Sequence, residues 1–398
     1  MVRIRFRRAL SLSFCIVLPL GMPAAAAAQD LSVSDVLSFL VTNQQVPTAD
    51  FVKDRAAAAA TRDTIAHALL VELATLPIST SSGGFTYEFS PALGTMERAS
   101  QTFGPFFLDR ALTAGRGQAS LGLTFRHTSF GSLDGRSLTE GTLVTTANRF
   151  LDEEAPFDVE TLELRLRAST FTFVGNYGVS DRLDVGAAVP VVTLRLDGER
   201  TNVYKGESLL QARGSAVSTG IADVALRAKY QIFRNGPQGV AAAAELRLPT
   251  GDADDLRGAG KAALRLSGIG SMARGPVEAH ANLALTEGGI SREVSFGGAV
   301  GWAATGHVTL SGELLVRRIG ALGRIVEVSE IHPTLLDVET IRLLASGDSA
   351  TTGIGVVGVK WNVARTVLVS ASLLLPLNDR GLKSRPAPAI SIEYALSR

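Results

Sequence analysis

The spacing between strand-like segments is the feature that most constrains how this chain can fold. Segments that alternate apolar and polar residues are separated by gaps that are in turn long and short. A long gap (129–158) is followed by a tight turn (177–181), and a second long gap (197–218) is followed by a short one (234–238). Closed barrels of bacterial outer membranes have long loops outside and short turns on the periplasmic side. The rhythm predicts such a barrel, since a soluble sandwich has no reason to sort its loops by length.

The first residues have the features of an export signal. Four arginines lie between Arg3 and Arg8, an apolar core runs from Leu10 to Leu20, and three alanines precede Gln29. This order is typical of a cleaved secretory signal, and the apolar core is too short to span a bilayer. We therefore expect a signal peptide over residues 1–28.

The composition narrows the functions open to the rest of the chain. Cys15 is the only cysteine and lies within the expected signal, which excludes disulfides, thiolate catalysis and cysteine metal sites from the mature chain. Hydrophobic residues make up 46% of the sequence, yet no mature stretch is long and apolar enough for a helical membrane span. A net charge of +1 gives no basis for nucleic-acid binding. With 40 glycines and 19% charged residues, the composition suits a β-rich membrane protein.

Residues 29–117 differ in character from the regular part that follows. The stretch 48–75 is predicted to be a helix, because it contains the alanine-rich run 56–60 and is stopped by Pro77. A helical spacer before the barrel is favoured over a periplasmic or lumen-inserted, plug-like element. The aromatic alternation over 85–89 indicates an extra strand or a segment tucked into the barrel mouth.

The regular part, residues 118–398, predicts about twelve strands. Most have the ten or so residues that a tilted strand needs to cross the membrane. An even count places both ends of the barrel on the periplasmic side, so the long gaps all lie outside. The irregular stretch before residue 118 leaves the count between twelve and fourteen. The predicted strands are 118–129, 159–176, 182–197, 219–233, 239–249, 259–270, 276–286, 292–303, 307–319, 351–363, 366–377 and 387–396, and the longest gaps are 129–158, 198–218 and 320–350.

Alternation along the strands sorts their side chains into an apolar and a charged face. On the seventh strand Glu278 and His280 share one face, and Val277 and Leu283 share the other. The second, fourth, sixth and twelfth strands separate in the same way. A lipid-facing arginine near the midplane costs roughly 2–4 kcal/mol, so the charged face is predicted to point into the lumen. The predicted lumen-lining residues are Glu163, Arg165, Arg167, Asp223, Arg227, Lys229, Glu245, Arg247, Lys261, Arg265, Glu278 and His280.

These lumen charges allow two roles. The arginines and lysines could select anionic or polar groups of a solute. Alternatively, they pair across strands with acids such as Glu163, Asp223, Glu245 and Glu278 and simply fill the lumen. Pairing is at least as well supported by the sequence.

Three turn-rich motifs occur in order along the barrel region: 180–186 with Val189-Pro190, 220–224 leading to Lys229-Tyr230, and 248–252 followed by 258–260. Together with 130–135, they resemble a bacterial outer-membrane family named for the meta-pathway of phenol degradation. The resemblance covers about residues 118–396. It implies a barrel that passes small, often aromatic or hydrophobic, molecules across the outer membrane. The chain departs from the usual pattern by ending on Arg398, so the aromatic signal for barrel assembly is imperfect or shifted inward to Tyr394.

Two polar clusters could carry chemistry. Asp252, Asp254 and Asp255 suggest calcium, but they lack the later Glu and the loop length of an EF-hand, which favours a tight outer turn. His280 lies between Glu278 and Asn282 on one strand face, but no nucleophile motif accompanies it. A hydrogen-bond ladder in the lumen is therefore favoured over catalysis.

Together these features predict an all-β protein, a transmembrane antiparallel β-barrel of the bacterial outer membrane that passes small organic solutes passively. The expected partners are outer-membrane lipid, the solute and the barrel assembly machinery, with no cofactor and no nucleic acid. Two alternatives remain from other classes. One is a barrel hydrolase that acts on lipid or peptide, and the other is a structural or adhesive barrel whose outer loops bind a partner.

Overall fold

A computed structural model of the chain describes residues 31–42, 51–74, 84–90, 95–236, 238–320 and 324–396. The predicted signal peptide, residues 1–28, lies outside these residues. The helices are α1 (Val33–Val41) and α2 (Phe51–Ala74). The strands are β1 (Tyr87–Ser90), β2 (Thr95–Arg98), β3 (Ala119–Leu133), β4 (Arg136–Ser137), β5 (Leu143–Phe150), β6 (Asp158–Gly178), β7 (Leu183–Tyr204), β8 (Glu207–Ile221), β9 (Val224–Asn235), β10 (Gln238–Leu248), β11 (Ala263–Arg274), β12 (Val277–Gly288), β13 (Glu293–Ala303), β14 (Val308–Ile319), β15 (Arg324–Ile331), β16 (Val338–Ser346), β17 (Ala350–Ala364), β18 (Val367–Pro376), β19 (Leu382–Ser384) and β20 (Ala387–Leu396).

Twelve of these strands close an antiparallel barrel. Their order around the cylinder is β3, β6, β7, β9, β10, β11, β12, β13, β14, β17, β18 and β20, and β20 pairs back with β3. The predicted fold class and the twelve predicted strands are confirmed, although strand ends shift by a few residues. Tight turns join the strands at one end of the barrel, the short-turn end. The longer connections lie at the opposite, long-loop end.

The outer surface of the barrel carries a continuous apolar band toward the short-turn end. Phe173, Leu266, Leu283 and Ile390 are about half exposed there, as are many other large apolar side chains. An apolar surface of this extent is not stable against water. Half-exposed aromatic side chains also lie at the short-turn ends of four strands: Tyr177, Trp302, Trp361 and Tyr394. An apolar band with an aromatic girdle is the surface of a transmembrane barrel.

The three long gaps predicted as loops (129–158, 198–218 and 320–350) are largely strands instead. They build an outer extension, the sheet in which β15, β16, β5, β6, β7 and β8 pair in that order above the apolar band. The loop prediction was wrong because strand length there is not limited by membrane thickness. The extension has its own core, so its strands continue into water.

The prediction that Glu163, Arg165 and Arg167 line the lumen is also wrong. Arg165 and Arg167 are exposed on the outer face of β6, while Leu162, Leu164 and Leu166 are fully or almost fully buried on its inner face. This part of β6 belongs to the outer extension, where water surrounds the sheet. Charged side chains on the outer face meet water there rather than lipid, so they carry no cost. The hydrophobic effect then places the leucines on the inner face.

Helices α1 and α2 supply the core of the outer extension. The inner leucines of β6 and β7 form one apolar cluster with Val36, Leu37 and Leu40 of α1 and Leu69 of α2. Ser32 caps α1 in a capping box with Asp35. A Cβ at Gly198 of β7 would overlap the Leu40 side chain, so this glycine permits the close approach of α1.

The helix predicted over 48–75 is confirmed as α2. Glu72 of α2 forms an ion pair with Arg317 of barrel strand β14, with 3.1 Å between Glu72 Oε1 and Arg317 Nη2. The favoured interpretation of a spacer separate from the barrel therefore does not describe its contacts. In the described part of the chain, neither helix is both long and apolar enough to cross a membrane.

Candidate functional site

A segment without regular secondary structure, residues 99–117, lies inside the barrel band and is called the inner segment below. It is mostly buried. The hydroxyl group of Thr102 donates to Glu278 Oε2 of β12 over 2.6 Å, and the hydroxyl of Ser100 donates to the same carboxylate. The N–H of Phe103 donates to Thr309 Oγ1 of β14 over 3.1 Å. Side chains of the barrel wall thus hold the start of this segment.

Two buried charged side chains hold the middle of the inner segment by its main chain. Lys360 of β17 donates through Nζ to the carbonyl oxygens of Phe103 (3.2 Å) and Pro105 (2.6 Å). The carboxylate of Glu313 of β14 accepts from the N–H groups of three consecutive residues, 106–108. Charged side chains in a low-dielectric interior are tolerated only with such partners. The wall therefore satisfies an otherwise unpaired stretch of backbone.

The end of the inner segment is held in the same way by β12 and, across the barrel, by β7 and β9. Asn282 exchanges two hydrogen bonds of 2.8 Å with the main chain of Asp109. Lys229 donates to the carbonyl oxygens of residues 110 (3.2 Å) and 112 (2.6 Å). Asp184 accepts from the N–H of Ala114 over 3.0 Å and lies 3.4 Å from Lys229 Nζ. Polar residues on at least five strands therefore bind this one segment.

Glycines in the wall make room for side chains of the inner segment. A Cβ at Gly297 would overlap the side chain of Leu108, and one at Gly358 would lie 2.7 Å from the Phe106 ring. At Gly297 the structural reason is the close approach of Leu108, which lies far away in the sequence. At Gly358 a Cβ would meet both the carbonyl oxygen of Ala371 on the neighbouring strand and the Phe106 ring.

Toward the long-loop end the lumen charges pair with one another. Glu245 lies 2.7 Å from both Arg227 and Arg247, between Nε and carboxylate oxygens. Arg265 lies 3.3 Å from Glu293, which is 3.8 Å from Arg317. The pairing expected from the sequence is present for Glu245. Glu278 instead accepts a hydrogen bond from the inner segment. Asp223 accepts from the N–H groups of residues 251 and 259. Lys261 is exposed.

His280 lies in a polar cluster beneath the inner segment. Its Nδ1 is 2.8 Å from Ser271 Oγ, and its Nε2 is 3.6 Å from Glu278 Oε2. Ser271 Oγ also accepts from the N–H of Ala111 over 2.8 Å. His280 is 6% exposed, so the cluster offers no room for a substrate beside these groups. The geometry favours the hydrogen-bond ladder expected from the sequence, with Ser271 as a member that the sequence did not indicate.

The aspartates at 252–255 form a turn. Asp252 Oδ1 accepts from the N–H groups of Asp254 (3.0 Å) and Asp255 (3.1 Å), as in an Asx turn. The described residues contain no group of three or more His, Cys, Asp or Glu side chains that could hold a metal ion. The two hydrogen bonds of Asp252 confirm the predicted turn.

A small cavity remains beside the inner segment. It lies between Phe106 and Phe107 on one side and the inner faces of β3, β18 and β20 on the other, with a volume of about 60 Å³. Small polar side chains line this wall, among them Ser120, Thr124 and Ser370. The space holds a few waters but no aromatic ring. This cavity by itself is too small to pass an organic solute.

The prediction from the sequence did not include several residues that hydrogen-bond to the main chain in the lumen. Lys360 and Glu393 are the single charges of β17 and β20, whereas Glu313 shares β14 with Arg317 and Arg318. Glu393 accepts from the N–H of Gly84 (2.8 Å to Oε2). For Lys360 and Glu393, a lone charge on the lumen side of an apolar strand was the available signal. These side chains bind main-chain groups of residues that are distant in the sequence, and the spacing of residues along a strand does not reveal such contacts.

The three sequence motifs contact one another in the fold. Asp184 of the first motif pairs with Lys229 of the second. Asp223, also in the second motif, accepts from the N–H groups of Gly251 (3.0 Å) and Ala259 (2.8 Å) in the third. Their order in the sequence thus reflects one structural unit that joins β7, β9 and β10.

Several solved structures are similar to this chain. They include an outer-membrane channel from Pseudomonas putida F1, with 14% identity and a TM-score of 0.47 over 72% of this chain and 98% of that one. The KdgM porin in complex with disordered oligogalacturonate has 6% identity and a TM-score of 0.37 over 69% of this chain and 99% of that one. The NanC porin has 7% identity and a TM-score of 0.36 over 69% and 100%. At these similarities no substrate can be transferred to this chain.

A comparison with curated proteins gives no match. A family model does match residues 145–286, and its description is "Putative MetA-pathway of phenol degradation". This range contains all three motifs that contact one another around Asp184 and Asp223. Over residues 145–286 the chain thus matches the phenol meta-pathway family, which confirms the resemblance that its motifs display.

Proposed function

We propose that the protein is a bacterial outer-membrane barrel through which small organic solutes pass when the inner segment moves aside. The observation that carries this proposal is the inner segment itself, an irregular stretch held in a polar lumen by hydrogen bonds from side chains. Each of these hydrogen bonds contributes about 0.5–3 kcal/mol, with the larger values for the charged side chains, because water can replace either partner when the segment moves. A segment bound in this way can be displaced without unfolding the barrel.

The outer surface supports the location. A barrel with an apolar band and an aromatic girdle belongs in a bilayer, and closed barrels of this kind occur in outer membranes. The outer extension would face the exterior and the short turns the periplasm. The purified protein is expected to require detergent, and a monodisperse sample in plain buffer would contradict the location.

The family match supports an aromatic solute. Its description refers to phenol degradation. Passage needs no energy source or cofactor in this proposal. The lumen side chains that now bind the inner segment would become the lining of the open path.

A disulfide lock tests whether the inner segment controls passage. Leu108 and Gly297 are suited to it, because a Cβ at position 297 meets the Leu108 side chain and a shorter residue at 108 makes room. The L108C/G297C variant is reconstituted in planar bilayers and recorded before and after reduction. We expect no current from the oxidised barrel and transient current after reduction.

The single variants L108C and G297C are the matched controls, since neither can form the bridge. They should conduct equally under both conditions. Equal current from the locked and reduced double variant would show that the path avoids the inner segment. Silence of every variant, with and without aromatic solute, would overturn the transport proposal.

A further inference from the structure

A second cavity lies on the lumen side of the wall near the long-loop end, and it is called the rim cavity. Strands β10 and β11 and the connection after β12 enclose it, and its lining includes Arg247, Lys261, Arg265 and Gly289. Its volume of about 30 Å³ exceeds the roughly 10–15 Å³ that one water requires. It has the size of a small polar group and cannot take a ring.

Three cations of the rim cavity have donors to spare. Arg247 uses Nε toward Glu245, and Arg265 uses Nη1 toward Glu293. Within the described residues, the other N–H groups of these two guanidinium groups meet no acceptor, and Lys261 forms no ion pair. A guanidinium has five N–H donors in a planar fork that matches a carboxylate.

The two carboxylates that line the same cavity are already neutralised. Asp223 accepts from the N–H groups of Gly251 and Ala259, and Glu293 lies between Arg265 and Arg317. Three of their four oxygens accept a hydrogen bond from the protein, and Glu293 Oε2 lies 3.8 Å from the Arg317 guanidinium, so their repulsion of an incoming anion is reduced. The cavity as a whole thus presents unfilled donors beside carboxylates that are already attracted by N–H groups or cations of the protein.

The rim cavity also lies where the barrel wall is low. Strands β6 and β7 continue into the outer extension as far as Tyr204, whereas the connection between β12 and β13 spans only 289–292. Lys261 is exposed at this low rim. A solute that arrives from the long-loop end can reach Lys261 before it meets the inner segment.

We propose that the rim cavity binds the oxyanion of the solute, so that the transported molecules are aromatic carboxylates or similar small organic acids. Lys261 attracts the acid at the rim, and the free N–H groups of Arg247 and Arg265 bind its carboxylate while the ring remains in the wider lumen. This inference rests on the proposed function and adds that the transported solute is an anion.

The test is binding of 4-fluorobenzoate to the full-length protein in detergent, followed by ¹⁹F NMR. The neutral 4-fluorobenzyl alcohol is the matched probe without charge. We expect saturable binding of the benzoate and none of the alcohol. The variant Lys261→Glu should weaken benzoate binding roughly tenfold, since a like charge beside a charged group costs on the order of 1 kcal/mol or more.

The control is Arg274→Glu, which reverses another exposed cation at the short-turn end of β11 and should leave the affinity unchanged. Lys261 has no ion-pair partner in the described chain, so its replacement should not disturb folding. Equal binding of the acid and the alcohol, or an unchanged affinity of Lys261→Glu, overturns the inference. The disulfide experiment is independent of this result. If the disulfide controls the current but binding does not depend on the charge of the probe, the proposed transport function stands and only the proposal of an acidic solute fails.

Discussion

The same two strands, β6 and β7, keep one face toward the barrel interior along their length, but that face is polar in one region of the molecule and apolar in another. In the membrane band Phe171 and Phe173 point outward and Thr172 points inward. In the outer extension Arg165 points outward and Leu164 inward. The change occurs at one level, since Ser169 of β6 pairs with Thr193 of β7. The comparison shows that the surrounding medium, rather than the strand, decides which face is apolar.

The contents of the barrel follow the same division. In the membrane band the lumen is polar, and it holds the inner segment through hydrogen bonds. In the outer extension the lumen is apolar, and it holds α1 and α2 through side-chain packing. One cylinder therefore has two interiors, each complementary to what lies inside it, and each responds to a different kind of substitution.

The largest expected effect comes from the apolar interior of the outer extension. Leu164→Ala removes a fully buried side chain and should lower the free energy of unfolding by about 2–5 kcal/mol. Its neighbour Arg165 is exposed, so Arg165→Ala should change stability by no more than about 0.5 kcal/mol. Urea unfolding in detergent, followed by circular dichroism, measures both. Similar losses would mean that the two faces of β6 are not distinct there.

A charge on the outer face should separate the two regions next. Phe173→Arg places a cation in the lipid band, and we expect a loss of about 2–4 kcal/mol in lipid vesicles. Val217→Arg is the matched variant, because Val217 is 62% exposed but pairs with Arg195 above the boundary. It should be nearly neutral. A comparable loss at Val217 would place the edge of the membrane higher than Ser169 and Thr193.

Loss of one anchor should free the inner segment without affecting the helices. Lys360→Met keeps an unbranched side chain but removes the donor to two carbonyl groups, at a cost of about 1–3 kcal/mol. Hydrogen exchange of residues 103–108 should accelerate, while exchange in α1 and α2 stays unchanged. Lys205→Met, in the exposed β7–β8 turn, is the control. Faster exchange in all these regions would indicate a single cooperative interior.

The smallest effect concerns pH at the start of α1. Partial burial acts to raise the pKa of Asp255, but hydrogen bonds from Arg257, Ser218 and the N–H of Val33 together hold it below its ordinary value. Because the folded-state pKa is depressed, this tether stabilises the fold above the ordinary aspartate pKa and is lost as pH falls through the lowered value. Exchange at Val33, corrected for its intrinsic pH dependence, should therefore rise slightly in acid. In Asp255→Asn this rise should be absent.

Much of the barrel was predictable from local pattern. The twelve strands follow from alternation, and the inward direction of Lys229, Glu278 and His280 follows from the cost of charge in lipid. Glu163, Arg165 and Arg167 were assigned to the wrong face by the same rule, because alternation reports which residues share a face and does not report the medium on either side. The inner segment could not be predicted, since its contacts with Glu313 and Lys360 join backbone to side chains over large sequence separations.

The sequence by itself determined that the chain forms a twelve-stranded barrel with one apolar and one charged face, because both properties depend on neighbours within a strand. Only the tertiary structure decided where that barrel leaves the membrane, what occupies its lumen and which charges are already bound. These depend on the height of each strand relative to the lipid and on segments brought together from distant parts of the chain. The spacing of residues within a strand does not reveal the height of that strand in the membrane or its contacts with distant segments.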